Sequence, residues 1–290
     1  MINCTYITNI IGDKNNRTSC LYQIGLIFQE VKQYEEALKY YRDSLKIAEE
    51  LGDLNMEVLC LEKIAKINEL QGNYPEALKK YEEMQNIASK QEDAIGKFLS
   101  LGHIAEIHLR NGNFPEALKQ FEEALKIAED SKNLELKFHC LFSIAEVHKI
   151  QEKYEEALKE FKEVLLIAEQ LEKDSLKSMT LIHIAEIYRF KKKYQKALIK
   201  FEEAIRITER LGDLEGKFQC LLNISDIQIM YGNLQVSKKA LEQAFRIVYA
   251  RMGIYDETPK GAPQMTDELN QKIQDVDKRW KQLNKLLKES

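Results

Sequence analysis

The sequence predicts an all-α protein, a solenoid of stacked helix pairs, and three observations predict it. One block recurs: KQYEEALKYYRDSLKIAEELGD from Lys32 returns as GNYPEALKKYEEMQNIASKQED from Gly72, then from Gly112, Glu152 and Lys192, and in worn form from Gly232. Each copy starts 40 residues after the last with no insertion, which marks a stacked-repeat architecture. Within each copy the apolar positions step by three and four, a helical stripe that a strand period of two cannot produce. Turn signals separate the stripes at Gly72-Asn73, Gly112-Asn113 and Gly232-Asn233.

The elements follow in order. Ile7, Ile11 and Gly12-Asp13 repeat the register of Ile47, Leu51 and Gly52-Asp53, so residues 1–14 are expected to be a capping half-repeat. Six repeats are expected over 15–250. The first helix of each carries the columns Leu21, Leu61, Leu101, Leu141, Leu181, Leu221 and, three residues on, Ile24, Ile64, Ile104, Ile144, Ile184, Ile224. A small column follows at once, Gly25 to Ser225 with Ala between, where another helix must come close. The second helix repeats the scheme with rings at Tyr34 and Tyr41, and a small Ala37 between them. Pro75 and Pro115 fall in its first turn, where a missing N–H costs nothing. The sixth repeat is worn, with Leu234 and Leu241 replacing both rings, as expected of an edge repeat.

Residues 251–264 read as a loop with Gly253, Pro259, Gly261 and Pro263, and 265–290 as a C-terminal helix. Its stripe of Leu269, Ile273, Val276, Trp280, Leu283 and Leu287 steps by four and three. A helix that caps the last repeat is the favoured reading, with a monomeric chain. A short coiled coil joining two copies is the other.

Composition fits. Four Pro in the whole chain suit an almost wholly helical protein. Charged residues make up 31% with both signs interleaved and a net charge of −4, which describes a solvated helical surface. No nucleic-acid footprint and no membrane partner are expected. Met1–Ile11 lacks the pattern of a signal peptide. Cys20, Cys60, Cys140 and Cys220 share one column, whose neighbours stand on the order of 10 Å apart, too far for a disulfide. A reduced, cytoplasmic chain is the expectation.

The two-helix unit with its Tyr, small Ala and aromatic columns resembles the tetratricopeptide repeat, over residues 18–250. The 40-residue unit is longer than the usual form and is similar to the repeats of Pins-type polarity scaffolds, kinesin light chains and bacterial Rap-type peptide sensors. The resemblance implies a right-handed superhelix with first helices on its concave side. It also implies a protein or peptide ligand held in that groove.

No phosphate loop, nucleophile elbow or paired Cys-x-x-Cys is present, so the chain is expected to be no enzyme and to need no cofactor or metal. All five His fall on first helices, with His103 and His183 two repeats apart in one groove column. The Leu26 column reads Leu26, Lys66, Glu106, Glu146, Glu186, Asp226, a ladder of four carboxylates. Beside it Phe142, Ile182 and Leu222 form an apolar strip. Together these would attract a basic, amphipathic segment. Against that, Arg110 lies four residues after Glu106, and Lys149 and Arg189 three after Glu146 and Glu186, spacings that permit ion pairs within one helix. Asp226 has no such neighbour. None of the repeats carries the Lys and Asn with which chaperone-tail adaptors of the family grip a terminal carboxylate.

The function expected is therefore a binding scaffold. A peptide-gated sensor of the Rap type is one alternative, although the residues before the first repeat are too few for that type's effector bundle. A structural subunit assembling through its C-terminal helix is another.

Overall fold

In the computed structural model, which describes residues 13–251 and 267–289, thirteen α-helices and no strand are found among the described residues. First helices are α1 (Lys14–Glu30), α3 (Leu54–Leu70), α5 (Ala94–Arg110), α7 (Leu134–Ile150), α9 (Asp174–Phe190) and α11 (Leu214–Met230). Second helices are α2 (Tyr34–Leu51), α4 (Tyr74–Lys90), α6 (Phe114–Asp130), α8 (Tyr154–Gln170), α10 (Tyr194–Leu211) and α12 (Leu234–Arg251), and α13 (Asp267–Glu289) follows. The expected half-repeat lies outside the described residues except for 13 and 14, as does the expected loop beyond 251.

Turn chemistry sets these bounds. Each repeat's internal turn carries one left-handed residue, Lys32, Gly72, Gly112, Glu152, Lys192 or Gly232. The amide that follows bonds back five residues, as Asn73 N does to Asn68 O (2.8 Å) and Lys193 N to Tyr188 O (2.8 Å). That closure satisfies carbonyls a helix end would otherwise orphan. Most first helices are capped by a side chain one residue ahead of them. Asp13, Asp53, Asp93, Asn133 and Asp213 each accept a backbone N–H of the first turn.

The described helices form two compact units that divide within α7, between Cys140 and Leu141. In the N-terminal unit α1 pairs with α2, α3 with α4 and α5 with α6, and each pair packs on the next. Tyr41, Tyr81, Ala37, Ala65 and Ala77 are fully buried there. The small column becomes Gly at Gly25 because Tyr41 lies over it: a Cβ there would stand 2.6 Å from the ring. In the C-terminal unit α8 packs on α9, α9 pairs with α10, α10 packs on α11 and α11 pairs with α12. There α13 lies on α12 and touches α11. Val276 and Leu283 are fully buried against Leu221, Leu241, Ala244 and Val248. The apolar stripe of α13 is thus turned onto its own chain.

Cys60, Cys140 and Cys220 are free and buried. Cys20 is disulfide-bonded, which corrects the expectation of a fully reduced chain. The spacing rule excludes bonds within the cysteine column, and only those.

The worn sixth repeat keeps its close helix contact by a paired change. Where repeats two to five carry two Ala, Ser225 and Ser237 share a buried hydrogen bond of 2.8 Å. Replacing Ser225 alone by Ala strands the Ser237 hydroxyl and is expected to cost about 1–3 kcal/mol. The double change to Ala restores the contact of the other repeats and should be nearly neutral. Urea melts of the two single variants and the double variant check this. Additive losses would contradict it.

Candidate functional site

The first-helix face of the C-terminal unit carries a linked set of charges. Lys149 on α7 donates to Glu186 on α9 (3.0 Å) and to Nδ1 of His183 (2.6 Å). It also stands 4.0 Å from Glu146. Gln219 on α11 donates to the other Glu186 oxygen at 2.8 Å. Further along, Arg279 on α13 grips both oxygens of Asp226 at 2.8 and 3.1 Å, and Lys272 pairs with Glu215. The acids of the ladder in this unit are therefore met by cations of the chain itself. Fork-to-carboxylate pairing of the Arg279 type is the strong form of such a contact.

Titration follows from burial. His183 is stacked on Phe161 (5.4 Å) and meets Phe142 edge-on (4.9 Å). Burial, with the Lys149 ammonium adding to it, pushes its pKa down to about 4. It is neutral at pH 7, with Nδ1 accepting from Lys149. Burial, reinforced by Glu186, holds Glu146 above the ordinary carboxylate range, with Lys149 opposing.

In the N-terminal unit the corresponding centre is Glu69, which sequence reasoning missed. It is 5% exposed and accepts from Arg110 (2.8 Å), Lys66 (3.3 Å) and the Tyr81 hydroxyl (3.3 Å). His103 stacks on the Tyr81 ring at 4.6 Å, and its pKa is lowered chiefly by burial. Glu106 is exposed and paired with no cation among the described residues.

The expected within-helix pairs are thus largely replaced. Arg110 serves Glu69 on α3, not Glu106, and Lys149 sits closer to Glu186 than to Glu146. Asp226 does have a partner, Arg279. A long cation reaches the acid on a neighbouring first helix as readily as one three residues along its own. The apolar strip is also largely spent: Ile182 is 4% and Leu222 7% exposed, and Phe142 is half-buried against Phe161. Among the described residues no group of three or more His, Cys, Asp or Glu is placed to hold a metal ion. No described helix is long and apolar enough to cross a membrane.

A family model described as Tetratricopeptide repeat matches residues 17–90, 56–130, 96–170, 138–210 and 176–250. The chain belongs to the tetratricopeptide repeat family. Solved structures share the fold. BtubC (BKLC) from P. vanneervenii is 19% identical with a TM-score of 0.67, over 79% of this chain and 96% of that one. A STAND signal-transduction ATPase with a tetratricopeptide repeat sensor, from Pyrococcus horikoshii, is 20% identical with a TM-score of 0.71, over 83% of this chain and 37% of that one. Aspartyl phosphate phosphatase F from Bacillus subtilis is 15% identical with a TM-score of 0.65, over 94% of this chain and 70% of that one. No curated protein matches the sequence significantly. In general terms, a tetratricopeptide array is a protein-interaction scaffold or sensor.

Two clefts open on the first-helix face of this tetratricopeptide array's C-terminal unit, among α9, α11 and α13. One, of about 420 Å³, is lined by Arg189, Asp226, Met230, Lys278 and Arg279 among others. The second, of about 460 Å³, is lined by Glu186, Arg189, Phe218, Asn223, Gln271 and Lys272 among others. Both are bounded by long polar side chains, and the second has a buried apolar floor of Phe218 and Leu222, a form that can seat an extended or helical segment.

Proposed function

We propose that this protein is a non-catalytic scaffold that binds a peptide or protein segment on its first-helix face, seated in the clefts among α9, α11 and α13. The observation that carries the reading is that first helices α9 and α11, together with α13, leave adjoining clefts of about 420 and 460 Å³, both lined by Arg189, Asp275 and Arg279. The segment it fits there is of mixed polarity, because Glu186 and Asp226 are already matched by Lys149 and Arg279. A basic contact of the kind the carboxylate ladder suggests is supported at Glu106 in the N-terminal unit, where the acid is exposed. Assembly through α13 draws no support, since its stripe is packed on α12.

The test is affinity capture with three proteins: wild type, Gln271→Trp at the cleft mouth, and Ile199→Trp on an exposed part of α10. The partner should be retained by wild type and Ile199→Trp, and depleted at least tenfold with Gln271→Trp, a loss of about 1.4 kcal/mol or more. Equal capture by all three would move the site elsewhere.

A further inference from the structure

One column of the first helices runs Gln29, Glu69, Leu109, Lys149, Arg189, Ile229, and all but one of its polar members is engaged within the chain. Gln29 accepts from the Tyr41 hydroxyl at 2.8 Å. Glu69 takes Arg110 and Tyr81, and Lys149 serves Glu186 and His183. Arg189 is the exception. Among the described residues it is paired with no carboxylate, and its Nε is buried without an acceptor. Its ring neighbour at the same offset as Tyr41 from Gln29 is Phe201, which has no hydroxyl. Glu186, three residues before it, is occupied by Lys149 and Gln219, and Asp226 by Arg279.

The unspent guanidinium borders both clefts. Its Cζ lies over the Phe190 ring, 4.9 Å from the centroid, a cation–π contact that holds the guanidinium beside the clefts. Arg189, Lys278 and Arg279 face Asp226 and Asp275 around the smaller cleft, an excess of one positive charge. The Arg279–Asp226 pair cancels, and Asp275 already accepts from Gln271 at 3.2 Å.

We infer that Arg189, with Lys278 at the rim, is a carboxylate-binding site that anchors an acidic side chain or a terminal carboxylate of the bound segment. A planar guanidinium with free donors matches a carboxylate in geometry as well as charge. This rests on the first-helix face being the binding face, and it specifies the anchor chemistry there.

Three small probes test it at constant ionic strength: N-acetyl-leucine, the α-amide of N-acetyl-glutamic acid, and N-acetyl-leucine amide. The readout is the Arg189 Nε–Hε resonance, assigned with Arg189→Lys. Both carboxylates should give saturable shifts and the neutral amide none, and Lys278→Gln should weaken binding roughly threefold, as befits an exposed charge. The tighter of the two carboxylates tells a chain terminus from an acidic side chain. Equal responses to amide and carboxylates, or shifts that never saturate, overturn the proposal. The probes carry no peptide partner, so their failure removes the carboxylate anchor while the capture experiment still decides the binding face.

Discussion

Replacing Phe161 by Ala is expected to destabilise the C-terminal unit by about 3–5 kcal/mol, the range for deleting a fully buried ring. Phe161 is 0% exposed and packs on Ala145, Ala157, Ile184 and Ile187. The cavity would not collapse readily, because the small residues around it already bring the helices as close as they can come. Leu166→Ala, at a side chain 59% exposed on the same helix, should stay within about 0.5 kcal/mol. Denaturant melts read with a probe in each unit separate the cases. Equal losses at the two sites would remove the basis for reading the aligned columns as core.

The second large effect is a pH dependence centred on His183. Its folded pKa of about 4 lies below the ordinary 6.5, so the unfolded chain binds this proton more readily. The contribution to stability is whole above pH 6.5, declines as pH falls through that window and is gone below about 4. Full linkage amounts to on the order of 3 kcal/mol. The groups facing the imidazole are Lys149, Glu146, Glu186, Phe142 and Phe161. Glu146, held above its ordinary value, works the other way and softens the slope. His183→Gln can still accept from Lys149 and should flatten the curve between pH 6.5 and 4. Urea melts at stepped pH measure it. Parallel curves for variant and wild type would show that His183 does not titrate as its burial requires.

Much of this was legible in the chain. Aligned columns gave every helix in the repeats because the period never slips, so Tyr34, Tyr74 and Tyr154 each begin a second helix where the pattern put them. The close helix contacts were equally readable, since only Gly, Ala or Ser occupies those columns. Charge pairing was not. Lys149 and Glu186 lie 37 residues apart, and spacing within a helix says nothing of a partner one repeat on. Arg279 stands outside the repeating register, so no column alignment could bring it to Asp226. The column that holds Phe142, Ile182 and Leu222 also holds Tyr22, Glu62 and Gly102, and such a mixture does not say which members face water. Ile182 and Leu222 proved to be buried, Leu222 at the floor of the larger cleft.

The central claim is that ligands meet the first-helix face of the C-terminal unit. A photo-crosslinking residue placed at Asn223, in the larger cleft, tests it most directly beside the same residue at Ile199 on α10. Illumination of the protein with its captured partner should yield a covalent adduct from position 223 and none from 199. Adducts from 199 with none from 223 would contradict the account and place the binding surface on the second helices.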